Sequence, residues 1–297
     1  MNREEWLNER RTGIGGSDAA AVMGLNPWKS PLDVYLDKTG QLMETPDNPA
    51  MYWGRVLEEI VAREYSLRTR TKVRRKNRIL RHRKHPWMLA NLDRVIVGGR
   101  GILECKTTAR TDGWGPSGSD EIPLTYYLQL VHYLAVTGSP FADLAVLIGG
   151  RDFRTYRIHP DDRTLEHLID SEYDFWINHV LVKNPPEPQT ESDLAWLYPK
   201  DQGSTLVADS DLKSAISHYL KLKDEEKQIH EKKKDLEVLI KQEVKQHAQV
   251  LDKKGRQLLS WKHHDHSRFD SSAFKQDHDA LYQQYSKTST RRVLRVG

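Results

Sequence analysis

Asp93 and the triplet Glu104-Cys105-Lys106 are the residues of this 297-residue chain whose types and spacing best suit chemistry. They sit in the segment MLANLDRVIVGGRGILECKTT, where two short apolar runs flank Gly98-Gly99. A Gly-Gly pair suits a two-residue hairpin loop of type I′, because both loop positions need φ > 0. With Val97 paired to Arg100, counting back along the strands sets Asp93 opposite Glu104. Side chains alternate faces along a strand, so Glu104 and Lys106 share one face while Leu103 and Cys105 share the other. Two carboxylates and an ammonium then converge on one surface-facing patch. Opposed carboxylates repel, and a divalent cation between them relieves that repulsion. The spacing reads as a metal site. A half-exposed hairpin with solvated charges carries the same residue types, so the neighbouring segments decide between the two.

Those segments are organised to position such a site. Glu4 to Arg10 reads as a short helix, followed by a Gly-rich loop ending in Gly15-Gly16-Ser17-Asp18 and a second helix from Ala19 to Met23. Ser17 or Asp18 suits the N-cap, and backbone N–H groups at such a start also suit an anion. Asn26-Pro27-Trp28 is a turn and Pro31 to Thr39 a helix. Met51 to Ser66 carries an apolar stripe at Val56, Leu57, Ile60, Val61 and Tyr65, with Glu58 and Glu59 set among it. Pro123 to Val136 is another helix, with Gln129 and His132 embedded in apolar surroundings. Phe141–Ile148 and Phe153–His159 read as strands joined by Gly149-Gly150-Arg151-Asp152, and a helix follows from Pro160 to Val182. The order predicts an α/β core with a mixed central sheet flanked by helices.

Pro185-Pro186-Glu187-Pro188 reads as a stiff linker, dividing residues 1–189 from a C-terminal extension over 190–297. In that extension Asp209 to Val250 is densely charged, with Ile216, Leu222, Ile229, Leu236 and Ile240 near heptad spacing. One long helix or a helical hairpin of coiled-coil character is expected. Asp252-Lys253-Lys254-Gly255 turns between two short strands, and Arg291 to Val296 reads as a closing strand.

Charge distribution says more than the net charge of +4. Residues 68–85 hold ten Lys or Arg and no acid, while the rest of the first 189 residues carries 16 basic against 25 acidic residues. An otherwise acidic body thus bears one basic stripe, including Arg74, Arg75 and Lys76, just before the Asp93 strand. Such a stripe suits a polyanion, and nucleic acid is the natural one. The single cysteine excludes a disulfide framework and any Cys-ligated cluster. No run of eighteen apolar residues and no signal-peptide pattern occurs, so the chain reads as soluble and intracellular, with no membrane partner.

Taken in order, GIGGSDAAAVMG at 13–24, WGRVLEE at 53–59, Asp93, Glu104-Cys105-Lys106 and Tyr127-Leu128-Gln129 resemble the YqaJ viral recombinase family. That family is related to phage lambda exonuclease among the PD-(D/E)XK nucleases. The resemblance covers roughly the first 190 residues and implies a restriction-endonuclease-like core. It gives Asp93 and Glu104 as metal ligands with the carbonyl of Cys105, and Glu58 reaching the metal directly or through water. Hard oxygen ligands suit Mg²⁺ or Mn²⁺. By the same resemblance Lys106 holds or activates the attacking water, and Gln129 positions the scissile strand or that lysine. Ser17 falls where the family binds a terminal 5′ phosphate, aided by an upstream arginine, for which Arg10 and Arg11 both qualify.

The activity implied is metal-dependent 5′→3′ exonuclease action on linear double-stranded DNA in phage-type homologous recombination. A bacterial cytoplasmic location, a single-strand annealing protein as partner and a ring-shaped homotrimer follow from the same resemblance. A structure- or site-specific endonuclease would use the same core and metal. A non-catalytic DNA-binding recombination partner is the other alternative, against which the intact Asp93, Glu104 and Lys106 stand.

Overall fold

The computed structural model describes residues 3–42, 48–288 and 291–296, and the chain divides into two compact units between Leu197 and Tyr198. The first unit opens with α1 (Arg3–Arg11), β1 (Ile14–Gly15), α2 (Gly16–Val22), α3 (Pro31–Lys38) and α4 (Pro49–Thr69). Then come β2 (Val73–Arg74), β3 (Leu80–Arg81), β4 (Met88–Ala90), β5 (Arg94–Ile96) and β6 (Ile102–Thr108). The unit closes with α5 (Leu124–Thr137), β7 (Ala142–Ile148), β8 (Asp152–Ile158), α6 (Asp162–Phe175), a π-helical turn (Trp176–Leu181) and α7 (Glu191–Leu197).

A five-stranded sheet runs in the order β2-β5-β6-β7-β8. Only β6 and β7 are parallel in it, so the sheet is mixed. Parallel neighbours need a crossover connection, and α5 supplies it. That places β6 in the middle of the sheet with a helix over each face. Leu103 and Cys105 pack with Val61, Ala62 and Tyr65 of α4. Ile102 joins the opposite core with Leu128, Leu130, Val131 and Leu134 of α5. Each such large apolar side chain, fully buried, contributes about 1.5–3 kcal/mol, which holds both helices against the strand. Tyr65 also donates its hydroxyl to buried Asp143 on β7, whose other oxygen accepts from Arg157 at 2.7 Å. This fixes α4 along the sheet.

A second sheet, β1-β4-β3, pairs β1 parallel to β4 and β3 antiparallel to it. It carries the start of α2 beside the strand leading to Asp93. The approach is close: a Cβ on Gly16 would stand 2.5 Å from the ring of Tyr133 on α5. Only glycine fits there.

Several expectations need correction. The Gly-Gly hairpin keeps its register but not its turn type: Ile96 N–H bonds the Gly101 carbonyl at 3.1 Å, and of the two glycines only Gly98 has positive φ, at 74°. A four-residue turn over 97–100 replaces the type I′ loop, because β5 ends at Ile96 and Val97 gives its N–H to Lys72 instead. The N-cap of α2 is Gly15, not Ser17 or Asp18. Asp18 occupies the third helical position and its Oδ2 accepts the Gly15 N–H at 3.3 Å. Neither carboxylate lies on an open surface, as α5 covers the Glu104 face and leaves that residue 4 % exposed.

The first unit also runs eight residues past the expected boundary at 189. Ser30 Oγ donates to buried Asp193 Oδ1 at 2.8 Å, and the Asp193 carboxylate takes the N–H groups of Gln189 and Thr190. These bonds seal α7 onto the unit.

In the second unit α8 (Ser210–Val244) is one continuous helix, followed by β9 (Gln249–Leu251), β10 (Gln257–Ser260), α9 (Ser271–Asp277) and α10 (Asp279–Tyr285). Strands β9 and β10 form the expected antiparallel hairpin. Arg291 to Val296 is not a strand: it finds no ladder partner among the described residues, and Val293 and Leu294 stay exposed. No helix among the described residues is long and apolar enough to cross a membrane.

Candidate active-site cleft

The pairing of Arg94 with Leu103 and Val95 with Ile102 sets Asp93, the residue before β5, across from Glu104. Asp93 Oδ2 accepts the backbone N–H of Cys105 at 2.8 Å. Glu104 points toward α5, where its Oε1 accepts from Gln129 Nε2 at 2.8 Å and from Lys106 Nζ at 2.7 Å. Its other oxygen, Oε2, is buried without a hydrogen-bond partner. A buried carboxylate oxygen left so costs about 1–3 kcal/mol or more, a cost that a ligand supplying positive charge removes.

Electrostatics separates the groups. Burial, then the negative charges of Glu104 and Glu58, push the Asp93 carboxyl up to about 8. Burial pulls Lys106 down, but the charge and hydrogen bond of Glu104 outweigh it and leave its pKa raised. Lys106 is therefore an ammonium, and its Nζ also stands 5.2 Å over the Tyr126 ring. Burial, joined by the charges of Asp93 and Glu104, raises the Cys105 thiol. The thiol stays neutral on the α4 side of the sheet and is a core filler rather than a ligand.

Glu58 is tied to a residue that the sequence reading did not single out. Arg94, with its side chain 4 % exposed, gives Nη1 to both Glu58 Oε1 and the Asp93 carbonyl. Its Nη2 reaches Glu59 Oε2 at 2.8 Å. Glu59 in turn holds Arg75 at 2.7 Å. Tyr133 was missed as well; its hydroxyl accepts from Gln129 Nε2 at 3.1 Å. Its position was readable, because residues four apart share a helix face. For Arg94 the signal was the charge next to Asp93, which strand alternation turns toward α4.

Arg10, Gly15, Gly16, Ser17, Asn91, Asp93, Glu104, Gln129 and Tyr133 line one cleft of about 210 Å³. The loop and the hairpin, some eighty residues apart in the chain, thus open onto the same space. Arg10 Nη2 donates to Ser17 Oγ at 3.0 Å. Arg11 is turned away, with Nε 3.9 Å from Asp37. Asp18 is also withdrawn: Lys29 and Lys38 each reach its carboxylate at 2.8 Å. Burial opposes that charge, but the lysines and Arg10 hold its pKa well below the usual range. Arg74 and Arg75 are exposed and Lys76 partly so, and none of the three lines the cleft. A larger hollow of about 630 Å³ lies within the second unit, but its lining is mainly Leu239, Ile240, Val244, Val250, Leu251 and Leu259. It offers no paired carboxylates.

Among the described residues no three His, Cys, Asp or Glu side chains form a ready-made metal cage. The donors still fit Mg²⁺, which keeps several waters and takes one or two carboxylates rather than a full protein cage. Asp93 and the partnerless Glu104 Oε2 would be those donors. Glu58, held by Arg94, stands at the side of the pair.

A family model described as the YqaJ-like viral recombinase domain matches residues 5–140. The uncharacterized protein YqaJ of Bacillus subtilis (strain 168) is 38% identical over 300 residues, spanning 97% of this chain and 92% of that protein. Uncharacterized protein R354 of Acanthamoeba polyphaga mimivirus is 26% identical over 197 residues, covering 62% of this chain and 32% of its own length. Among solved structures, an alkaline exonuclease from Laribacter hongkongensis superposes with a TM-score of 0.50 at 18% identity, over 61% of this chain and 94% of that one. The mixed sheet flanked by helices is thus a fold shared with that alkaline exonuclease, and the chain also carries a C-terminal extension.

Proposed function

The chain belongs to the YqaJ-like viral recombinase family, and on that footing we propose that it is a metal-dependent DNA exonuclease. Its substrate in this reading is linear double-stranded DNA, degraded 5′→3′ during phage-type homologous recombination. The observation that carries the reading is the single cleft shared by Arg10 and Ser17 with Asp93, Glu104 and Gln129. A pocket for a chain end beside a hydrolytic centre is what an exonuclease requires.

Asp93 and Glu104, with the Cys105 carbonyl, hold Mg²⁺ or Mn²⁺ in this proposal. The cation supplies Lewis acidity toward a phosphate oxygen and lowers the pKa of water. Glu58 supports the acidic pair from α4, oriented by Arg94. Lys106, as an ammonium, holds the attacking water by donation and offsets charge growing on the phosphate. Gln129 fixes Glu104 Oε1, which leaves the buried Oε2 as the oxygen without a hydrogen-bond partner. Arg10 and the Ser17 hydroxyl take the terminal phosphate, which carries more negative charge than an internal diester. Asp18 does not repel it, since its carboxylate is spent on Lys29 and Lys38. Arg74, Arg75 and Lys76 carry the duplex through its phosphates, which brings affinity without sequence preference. A bacterial cytoplasmic setting and a single-strand annealing protein that takes over the exposed strand complete the reading.

Digestion of end-labelled duplex with Mg²⁺ tests it. Linear DNA with a 5′ phosphate should be degraded faster than the same DNA with a 5′ hydroxyl, and closed circular duplex should survive. Equal cutting of circular and linear duplex would replace the exonuclease with an endonuclease. No cutting in either Mg²⁺ or Mn²⁺ would leave a DNA-binding partner.

A further inference from the structure

Helix α8 has 35 residues, about 52 Å at 1.5 Å per residue, and Val244 is its one buried residue. Leu222, Ile229 and Leu236 are 52 %, 66 % and 59 % exposed. They recur every seven residues, so they drift only about 20° per step around the helix and form one stripe. An apolar stripe of this kind on a charged helix marks a packing surface.

The charges beside the stripe say what covers it. Glu225 and Glu226 flank it on opposite sides just before Ile229, and Lys232 and Lys233 flank it just after. A second copy of the helix, laid antiparallel on a two-fold axis at Ile229, pairs Ile229 with itself and Leu222 with Leu236. The same alignment sets Glu225 beside Lys232 of the second copy and Glu226 beside its Lys233, one residue apart along the axis on either flank. Four ion pairs then surround three apolar layers. A parallel arrangement would instead set Glu225 beside Glu226 of the second copy and Lys232 beside its Lys233. Within the helix Glu225 has only the exposed Lys221 at 3.9 Å, a contact worth little to it.

We propose that α8 is a self-recognition element, pairing antiparallel with a second copy of this chain about Ile229. This contact is independent of the cleft and of any ring built by the first unit.

The test is the mass of the full chain by light scattering across micromolar concentrations, with helicity followed by circular dichroism. The wild type should show an assembly whose mass is halved by Ile229→Lys. Glu225→Lys with Glu226→Lys should also halve it, and so should Lys232→Glu with Lys233→Glu. Mixing those two charge-reversed proteins should restore the larger species, as should all four changes in one chain. An assembly untouched by Ile229→Lys, a wild type lacking the doubled species, or charge-reversed proteins that fail to rejoin when mixed would each overturn the pairing.

Discussion

Arg94 and Glu58 are joined so that one guanidinium nitrogen serves both the Glu58 carboxylate and the carbonyl of Asp93. The bond ties α4 to the strand bearing the site's first carboxylate. Together with Glu59 it compensates the charge of an almost fully buried arginine. Arg94→Ala should lower stability by about 1–3 kcal/mol, as expected for a lost charged hydrogen bond, and slow cleavage with Mn²⁺. Arg94→Lys should recover part of the stability but little of the rate, since an ammonium cannot reproduce the fork. Urea unfolding and single-turnover cleavage read the two effects separately.

Asp93 titrates in the wrong direction for a solvated acid, and that has a sign. Its pKa is raised to about 8 in the fold, against about 3.9 when unfolded. The folded chain therefore holds this proton more tightly, and stability falls as pH rises from about 4 through about 8. In EDTA, Asp93→Asn should remove that part of the slope and be at least as stable as wild type at pH 8. With Mg²⁺ it should not cut DNA. A pH–stability curve in EDTA identical to that of wild type would contradict the burial argument.

Lys106 should separate chemistry from binding. Lys106→Ala should reduce single-turnover cleavage by about 10²–10³-fold, the usual cost of losing a donor that stabilises developing charge. Duplex affinity, measured by anisotropy in Ca²⁺, should change far less. Lost affinity with an intact rate would make Lys106 a phosphate clamp.

The two arginines before the Gly-rich loop should behave differently. Arg10→Ala with Ser17→Ala should erase the preference for 5′-phosphorylated over 5′-hydroxyl ends, because both line the cleft. Arg11→Ala should retain it, because Arg11 is directed to Asp37. The ratio of initial rates on the two ends is the measurement.

Removing Arg74 and Lys76 should weaken binding alike for unrelated sequences. Each lost phosphate contact lowers the slope of log K against log salt by about 0.9, so the double change should flatten it by nearly two. Arg75 already spends charge on Glu59 and should add less.

The sequence by itself determined much of this. Period-two alternation and the Gly98-Gly99 tip set Asp93 against Glu104, a register that survived even though the turn type did not. The helix of α4 and the long heptad pattern of α8 were legible because helix periodicity is local, but of the expected α4 stripe Val61 and Tyr65 are buried while Val56 and Ile60 lie exposed. What the chain alone left open were quantities set by distant neighbours. Glu104 is buried because α5 crosses over its face, and a strand's alternation cannot say which face will be covered. Arg10 was separated from Arg11 only by which one turned into the cleft, a choice made by packing against α3 and the start of α2. Arg94 acquired its role from Glu58, 36 residues earlier, and the segment 291–296 pairs with no strand among the described residues. Local pattern fixes periodicity and register, because these depend on successive φ and ψ. Burial, pairing partners and pKa depend on which elements fold over which, and only the tertiary structure decides that.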